Sequence, residues 1–298
     1  MALSSSQNEA FSSVLIVCNS LSIFGCLFII FLYLIFGELR TFAFRLVFHM
    51  SIVDLFHSIS LLPGYEISEW LCIFQGSLLQ YTSFGGAVWS VIIAYSLFDT
   101  VVLHNTKIQA KESKFLIIGY IFPVLVTIPP FVTKSYGSAE GWCWISISND
   151  HFTIDTIWRF VLFYIPLWLM FIYNIVTYFV VINNIIKEFK NLDNSDMKTA
   201  LVRRLRMYPF VLIFSYLFST IKRIYDFINP EEEFFPLIIC AGAMLSLVGF
   251  LNGFVYGFTD SVKVAIKEAW IGGKRTNSYA AEGSQSLMNI TQIKACVL

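Results

Sequence analysis

The chain is 298 residues long, 57% hydrophobic and 13% charged, with a mean hydropathy of +0.70 and a formal net charge of zero. Soluble domains carry roughly 25% charged residues, so about half the expected charge is missing, and thirty Phe and seven Trp add to the apolar excess. These numbers exclude a soluble globular protein and point to an all-α membrane protein, whose charge distribution matters more than its sum.

A membrane-crossing helix needs about 20 mostly apolar residues. Seven stretches qualify, approximately 12–36, 46–64, 72–103, 115–133, 157–183, 207–228 and 237–259, which predicts a seven-helix transmembrane bundle over 12–259. The third is long and tolerates polar residues, as a tilted central helix would. Pro123, Pro129 and Pro130 break the fourth, and Pro209 marks a flex point near the inner end of the sixth. Residues 1–11 form a short leading segment, and no loop is long enough for a second domain.

Lys and Arg are unevenly distributed between the spans. The segments 37–45, 104–114, 184–206 and 260–298 hold sixteen, whereas 1–11, 65–71, 134–156 and 229–236 hold only Lys134. Basic loops stay cytosolic, so the N-terminus is expected outside and the C-terminus inside. "NIT" at 289–291 then lies in the cytosol, out of reach of glycosylation. Cys72 and Cys143 share the oxidising side, which predicts a disulfide between the second outer loop and the third span. The other cysteines read as buried thiols. Neither end shows a lipid-attachment motif: position 2 is Ala2 rather than Gly, and "ACVL" places Cys296 third from the end.

After the last span, "SVKVAIKEAW" sets Val262, Ala265, Ile266, Ala269 and Trp270 on one helical stripe, with Lys263 and Lys267 opposite. This predicts a short amphipathic helix over 260–270 lying on membrane lipid. The polar tail 271–298 follows, where Thr276, Ser278, Ser284, Ser286 and Thr291 are candidate phosphorylation sites.

Several chemistries are set aside. A retinal protein needs a Lys in the seventh span, and there is none. His49, Asp54 and His57 could begin a metal site, but His104 and His151 fall on opposite sides of the membrane, so the trio reads as polar groups satisfied inside the bundle. No cofactor motif, nucleic-acid motif or catalytic constellation stands out. A transporter or channel is the rival class, although the halves show no repeat.

Four stretches carry a resemblance: "VWSVIIAYSLFDTVV" at 88–102, "GWCWI" at 141–145, "YIPLWLMFIYN" at 164–174, and "YP…STIKRI" in the sixth span with "GFLNGFVYGFTD" at 249–260. In this order they resemble the family of the slime-mould cyclic-AMP receptors with their plant and protist relatives, itself akin to secretin-type receptors. The rhodopsin-class "DRY" and "NPxxY" are absent. Tyr216 stands where the family has Trp, and Asp99 where it has a basic or neutral residue. The resemblance implies a plasma-membrane receptor that passes the binding of a small extracellular ligand to a heterotrimeric G protein. Lys187, Lys190, Arg203, Arg204 and Arg206 border the third inner loop, the expected G-protein contact.

The sixth span, "YPFVLIFSYLFSTIKRIYDF", raises the sharpest question. Arg223 lies about 8 Å inside the outer end of its helix, at 1.5 Å per residue. A charge there snorkels outward or faces the bundle. One reading pairs Lys222 and Arg223 with Asp226 along the helix. The other makes Arg223, with Lys222 as the weaker candidate, the cationic wall of a ligand pocket that Arg159 and Trp144 complete. In the seventh span, Gly249, Gly253 and Gly257 form a stripe suited to close helix packing. Asn252 and Tyr256 lie on a neighbouring face, where they either pack statically or switch polar partners with Asp54 or Asn174.

Overall fold

The computed structural model describes residues 4–62, 67–139, 142–146, 152–188, 195–229 and 234–270, with the backbone alone for 152, 195–206, 208, 209, 260, 261 and 268–270. It is a helical bundle. Helix α1 spans Ser5–Ile35, α2 Phe42–Ser60, α3 Glu69–Val101 and α4 Glu112–Thr127, followed by the single turn α5, Pro129–Val132. A hairpin of β1 (Tyr136–Ser138) and β2 (Cys143–Ile145) comes next. Helix α6 (Phe152–Arg159) runs through a π-turn at Phe160–Tyr164 into α7 (Ile165–Glu188). Then come α8 (Ser195–Ile228), α9 (Phe235–Ser246), α10 (Val248–Gly257) and α11 (Asp260–Trp270).

Among the described residues, five segments are long and apolar enough to cross a membrane by themselves: α1, α2, α3, 108–132 and 153–188. A sixth is the α9–α10 pair, bent by 42°. The remaining long helix is α8, 34 residues, which packs between α7 and α9 and carries Lys222, Arg223 and Asp226 near its end. This is a multi-pass membrane protein.

Helix α3 is the axis of the bundle. In its most apolar stretch 72% of the residues are buried, against 33% in α1 and 28% in the fourth span, and it packs on α2, α4, α7 and both strands. A helix enclosed on all sides can carry polar residues, because neighbours rather than lipid meet them.

Helix ends and breaks follow from local chemistry. Helix α1 begins at Ser5, well before position 12, because Ser4 and Gln7 form a reciprocal capping box. That extension buries Phe11, whose ring meets Trp142 of the hairpin at 5.9 Å. The region 184–206, expected as a loop, is mostly helix: α7 continues to Glu188 and α8 starts at Ser195. Lys, Met, Ala, Leu and Arg there are strong helix formers, and no Gly or Pro intervenes before Pro209, which α8 runs through. The π-turn precedes Pro166. Proline has no N–H for the Leu162 carbonyl one turn back, and Gln80 Nε2 of α3 donates to that oxygen instead, at 3.4 Å.

The glycine stripe is where α10 meets α1. A Cβ on Gly253 would lie 2.9 Å from the Cα and carbonyl oxygen of Gly25, and one on Gly25 would lie 2.9 Å from Phe250 Cα. The two backbones touch, as only paired glycines allow. Gly249 faces Cys26 and Ser22, and Gly257 faces Phe28 and Ile29, so all three glycines belong to this contact.

Helix α11 spans Asp260–Trp270, and the described part of its apolar stripe faces differently from expectation. Val262 and Ala265 are buried in the bundle's core, where α11 packs on the 3-10 turn Gly37–Leu39. The turn presents Leu39, itself buried, which competes with lipid for the stripe.

Candidate functional site

The hairpin forms a lid over one end of the bundle. Cys72 near the start of α3 is disulfide-bonded to Cys143 of β2, with 5.2 Å between their Cα atoms. Gln75 completes the attachment: its Oε1 accepts from Cys143 N at 3.3 Å and its Nε2 donates to Ser60 O at 2.7 Å. Gly76 admits the strand, because a Cβ there would lie 3.1 Å from Trp144 Cα. At the other edge Tyr136 donates to Thr127 O at 2.8 Å, and burial pushes its hydroxyl pKa well up, so it stays a neutral donor.

Below the lid is a cleft of about 320 Å³, counted out to where it opens to solvent, with room at its narrowest for about one water molecule. Trp142 and Trp144 come from the hairpin, Phe163 and Tyr164 from the π-turn, and Tyr216, Ser219 and Arg223 from α8. Alternate residues of an extended strand share a face, which brings both tryptophans of "GWCWI" to the lid.

Lys222 and Arg223 of α8 both face the bundle. Lys222 is 2% exposed and Arg223 5%, so neither snorkels. One oxygen of Asp226 receives both, Lys222 Nζ at 2.8 Å and Arg223 Nη1 at 3.2 Å. The two readings of this triplet therefore coexist: the intrahelical pairs are formed, and Arg223 also lines the cleft. Its guanidinium lies 5.6 Å from the Trp144 ring and 6.0 Å from that of Trp142, and Tyr164 lines the same cleft. Lys222 does not line the cleft; its helix position turns it toward Asp226.

Arg159 also has a different place from the one expected. Its Nε donates to Ile145 O at 2.8 Å, and its guanidinium packs 5.6 Å from the Trp144 ring, so it supports the lid without entering the cleft wall. Trp144 is thus flanked by two guanidinium groups, and its Nε1 donates to Gln80 at 2.8 Å. Sequence reasoning missed Trp142, Tyr164, Tyr216 and Ser219. The available signals were strand alternation for Trp142 and, for Ser219, its position one turn before Arg223.

Beneath the cleft a polar path runs across the bundle. Tyr216 donates to Ser83 O at 3.2 Å, Ser83 Oγ lies 3.2 Å from His57 Nδ1, and His57 Nε2 donates to Leu245 O at 3.2 Å. Leu245 sits just before the bend of the last span, and beyond that bend Phe250 N donates to Ser22 Oγ at 2.9 Å. Side chains of α1 and α2 thereby hold the backbone on both sides of the bend. Asp54 accepts from Asn252 Nδ2 at 2.7 Å. Asn174 belongs elsewhere: Ser90 donates to its Oδ1 at 3.3 Å and it donates to Met170 O, so it does not share Asp54. Tyr256 is buried in the apolar core. His49 stacks on Trp89 and bonds Tyr120 at 2.9 Å, so His49, Asp54 and His57 have separate partners.

The opposite end is held by ion pairs. Arg45 grips Glu112 bidentately, with two contacts of 2.7 Å, and Asp99 accepts from Asn105 at 2.6 Å and pairs with Lys111 at 3.3 Å. Lys187 is exposed at the end of α7. Lys190 lies outside the described residues, as do the tail positions beyond 270, and Arg203, Arg204 and Arg206 are described by backbone only, on α8.

The profile of the family described as slime mold cyclic AMP receptor matches residues 2–263, nearly the whole bundle. The chain belongs to this family. It is 32% identical over 259 residues to "G-protein coupled receptor 1" of Arabidopsis thaliana, covering 84% of this chain and 78% of that one. It is 29% identical over 261 residues to "Cyclic AMP receptor-like protein A" of Dictyostelium discoideum, covering 86% of this chain and 66% of that one. A more distant relative is "G-protein coupled receptor 157" of Homo sapiens, 24% identical over 151 residues, 47% of this chain and 45% of that one. The bundle is therefore a receptor of the G-protein-coupled class.

Proposed function

We propose that this receptor sits in the plasma membrane with the hairpin outside and the basic end in the cytosol, and binds a small anionic or polar ligand in the cleft beneath the hairpin. Cyclic AMP is the first ligand to test, because the family carries its name. The observation that carries the reading is Arg223: a guanidinium buried at the cleft wall, between two indole faces, under a lid stapled by a disulfide. A planar fork of donors suits an oxyanion better than a point charge does.

The cleft in this state is too narrow for a nucleotide, so binding requires the lid and α8 to part. A ligand that bridges them favours the parted arrangement and shifts the population toward it. Helix α8 extends from the cleft to the basic end, so its displacement reaches the segment where Lys187, Lys190, Arg203, Arg204 and Arg206 would meet a heterotrimeric G protein. The polar path through Ser83 and His57 offers a second route, to the bend of the last span. Membrane lipid surrounds the bundle, and α11 lies at the cytosolic surface with Lys263 and Lys267 exposed.

The test is purified receptor in nanodiscs with heterotrimeric G protein, scored for guanine-nucleotide exchange against a panel of cyclic nucleotides and small organic anions. Saturable, ligand-dependent exchange is expected. Net solute flux through reconstituted receptor, with no ligand stimulating exchange, would favour a transporter instead.

A further inference from the structure

We propose that Ser219 is a ligand-binding residue of the cleft, the second polar anchor beside Arg223, and that together they select a small organic oxyanion carrying another hydrogen-bonding group. The proposal rests on reading the cleft as the receptor's binding site and adds the spacing of what it binds.

The observation is an unused hydroxyl. Serine and threonine inside a membrane helix usually bond back to the carbonyl one turn earlier. Here Ser58, Ser96, Ser215 and Thr220 all do so, at 2.7–2.9 Å. Ser219 does not: it is 7% exposed, and its Oγ has no hydrogen-bond partner. Most buried polar groups in proteins are satisfied, so an unsatisfied one marks strain, a missing water or a missing ligand. Among the described residues Ser246 Oγ is another, but Ser219 is the one that lines the cleft. Two other hydroxyls there are engaged, Ser83 with His57 and Tyr216 with the Ser83 carbonyl.

Geometry sets the ligand's shape. Ser219 and Arg223 are four residues apart, on one face of α8 and separated along its axis by about 6 Å. An oxyanion at Arg223 therefore leaves Ser219 to meet a hydroxyl, carbonyl or amide about one helical turn further along the same ligand. The indole faces of Trp142 and Trp144 beside Arg223 favour a flat body between the two anchors.

The experiment needs no identified ligand. Ser219→Cys is a near-isosteric change that places a thiol at the position in question. The probes are the anionic 2-sulfonatoethyl and the cationic trimethylammonioethyl methanethiosulfonates, applied to intact receptor in nanodiscs. The thiolate attacks the sulfenyl sulfur, forms a mixed disulfide and expels methanesulfinate. Labelling of wild-type receptor is subtracted, and each rate is normalised to that of the reagent with a small free thiol. The anionic reagent is expected to react at least about tenfold faster than the cationic one, because a cationic cleft concentrates anions. Adding Arg223→Gln should bring the ratio toward one. Ser219→Ala should leave the melting temperature and surface level unchanged, because the hydroxyl holds no part of the protein.

No labelling above wild type, or a melting temperature lowered by Ser219→Ala, would overturn the assignment of Ser219. Equal normalised rates would overturn the anionic ligand class. Neither result bears on G-protein coupling, which the nucleotide-exchange assay tests separately.

Discussion

Replacing Arg223 by Lys separates a ligand-binding cation from a structural one. Lysine keeps the charge and can still reach Asp226, as Lys222 does at 2.8 Å from the same helix. It loses the planar contact with Trp144 and Trp142, at 5.6 and 6.0 Å, and the paired donors of the fork. A buried cation–π contact is worth about 1–2 kcal/mol, and Lys keeps part of it. A hydrogen bond from a charged donor contributes roughly 1.5–3 kcal/mol. If ligand oxygens take the fork, the loss is about 1.5–3 kcal/mol, which is roughly a 10- to 100-fold fall in potency. Surface level should stay within about twofold of wild type, since the single substitution leaves the ion pair in place. Asp226→Asn should do the opposite, lowering surface level by removing the carboxylate that receives two buried cations. The assay scores surface receptor by flow cytometry and ligand response by nucleotide exchange, for Arg223→Lys, Arg223→Ala and Asp226→Asn. Full potency in Arg223→Lys would refute the argument. So would equal losses of surface level in all three variants, which would make the cation structural.

Three further outcomes follow from the packing. Cys72→Ala and Cys143→Ala should each lower detergent melting temperature and ligand response, and the double variant should be no worse than either single; the bridge closes a loop across 71 positions, for which chain entropy gives at most about 4 kcal/mol, so additive losses would mean the two cysteines act separately. Gly253→Ala should cost about 1–3 kcal/mol by forcing α10 away from Gly25, whereas Gly37→Ala, where a Cβ meets nothing within 4 Å, should be neutral; equal melting temperatures would refute the contact. Asn252→Ala and Asp54→Ala should be coupled by about 0.5–3 kcal/mol in a double-mutant cycle, because each side chain is the other's buried partner at 2.7 Å; strict additivity in melting would show that they are not.

Composition and pattern alone determined the membrane class, the helical bundle and the Cys72–Cys143 bridge. These are one-dimensional properties: apolar length measures a bilayer, and Cys72 lies at the outer mouth of the third span, on the same side as the loop that holds Cys143. The early start of α1 was also legible, in the Ser4–Gln7 capping box, although apolar length alone hides it. What the sequence left open was which neighbour each polar group faces. Periodicity places Arg159 near the cleft, but only the fold turns it behind Trp144 to hold the Ile145 carbonyl. Spacing could not choose between Asp54 and Asn174 as the partner of Asn252, because that depends on how α10, α2 and α7 rotate about their own axes. The glycine stripe shows a close contact without naming the helix that makes it, and the answer, α1 at Gly25, lies more than 220 residues away. Lys222 and Arg223 differ by one position and hence by about 100° around α8, from 3.6 residues per turn. That rotation, set by packing against α7 and α9, puts one cation on the cleft wall and leaves the other beside Asp226.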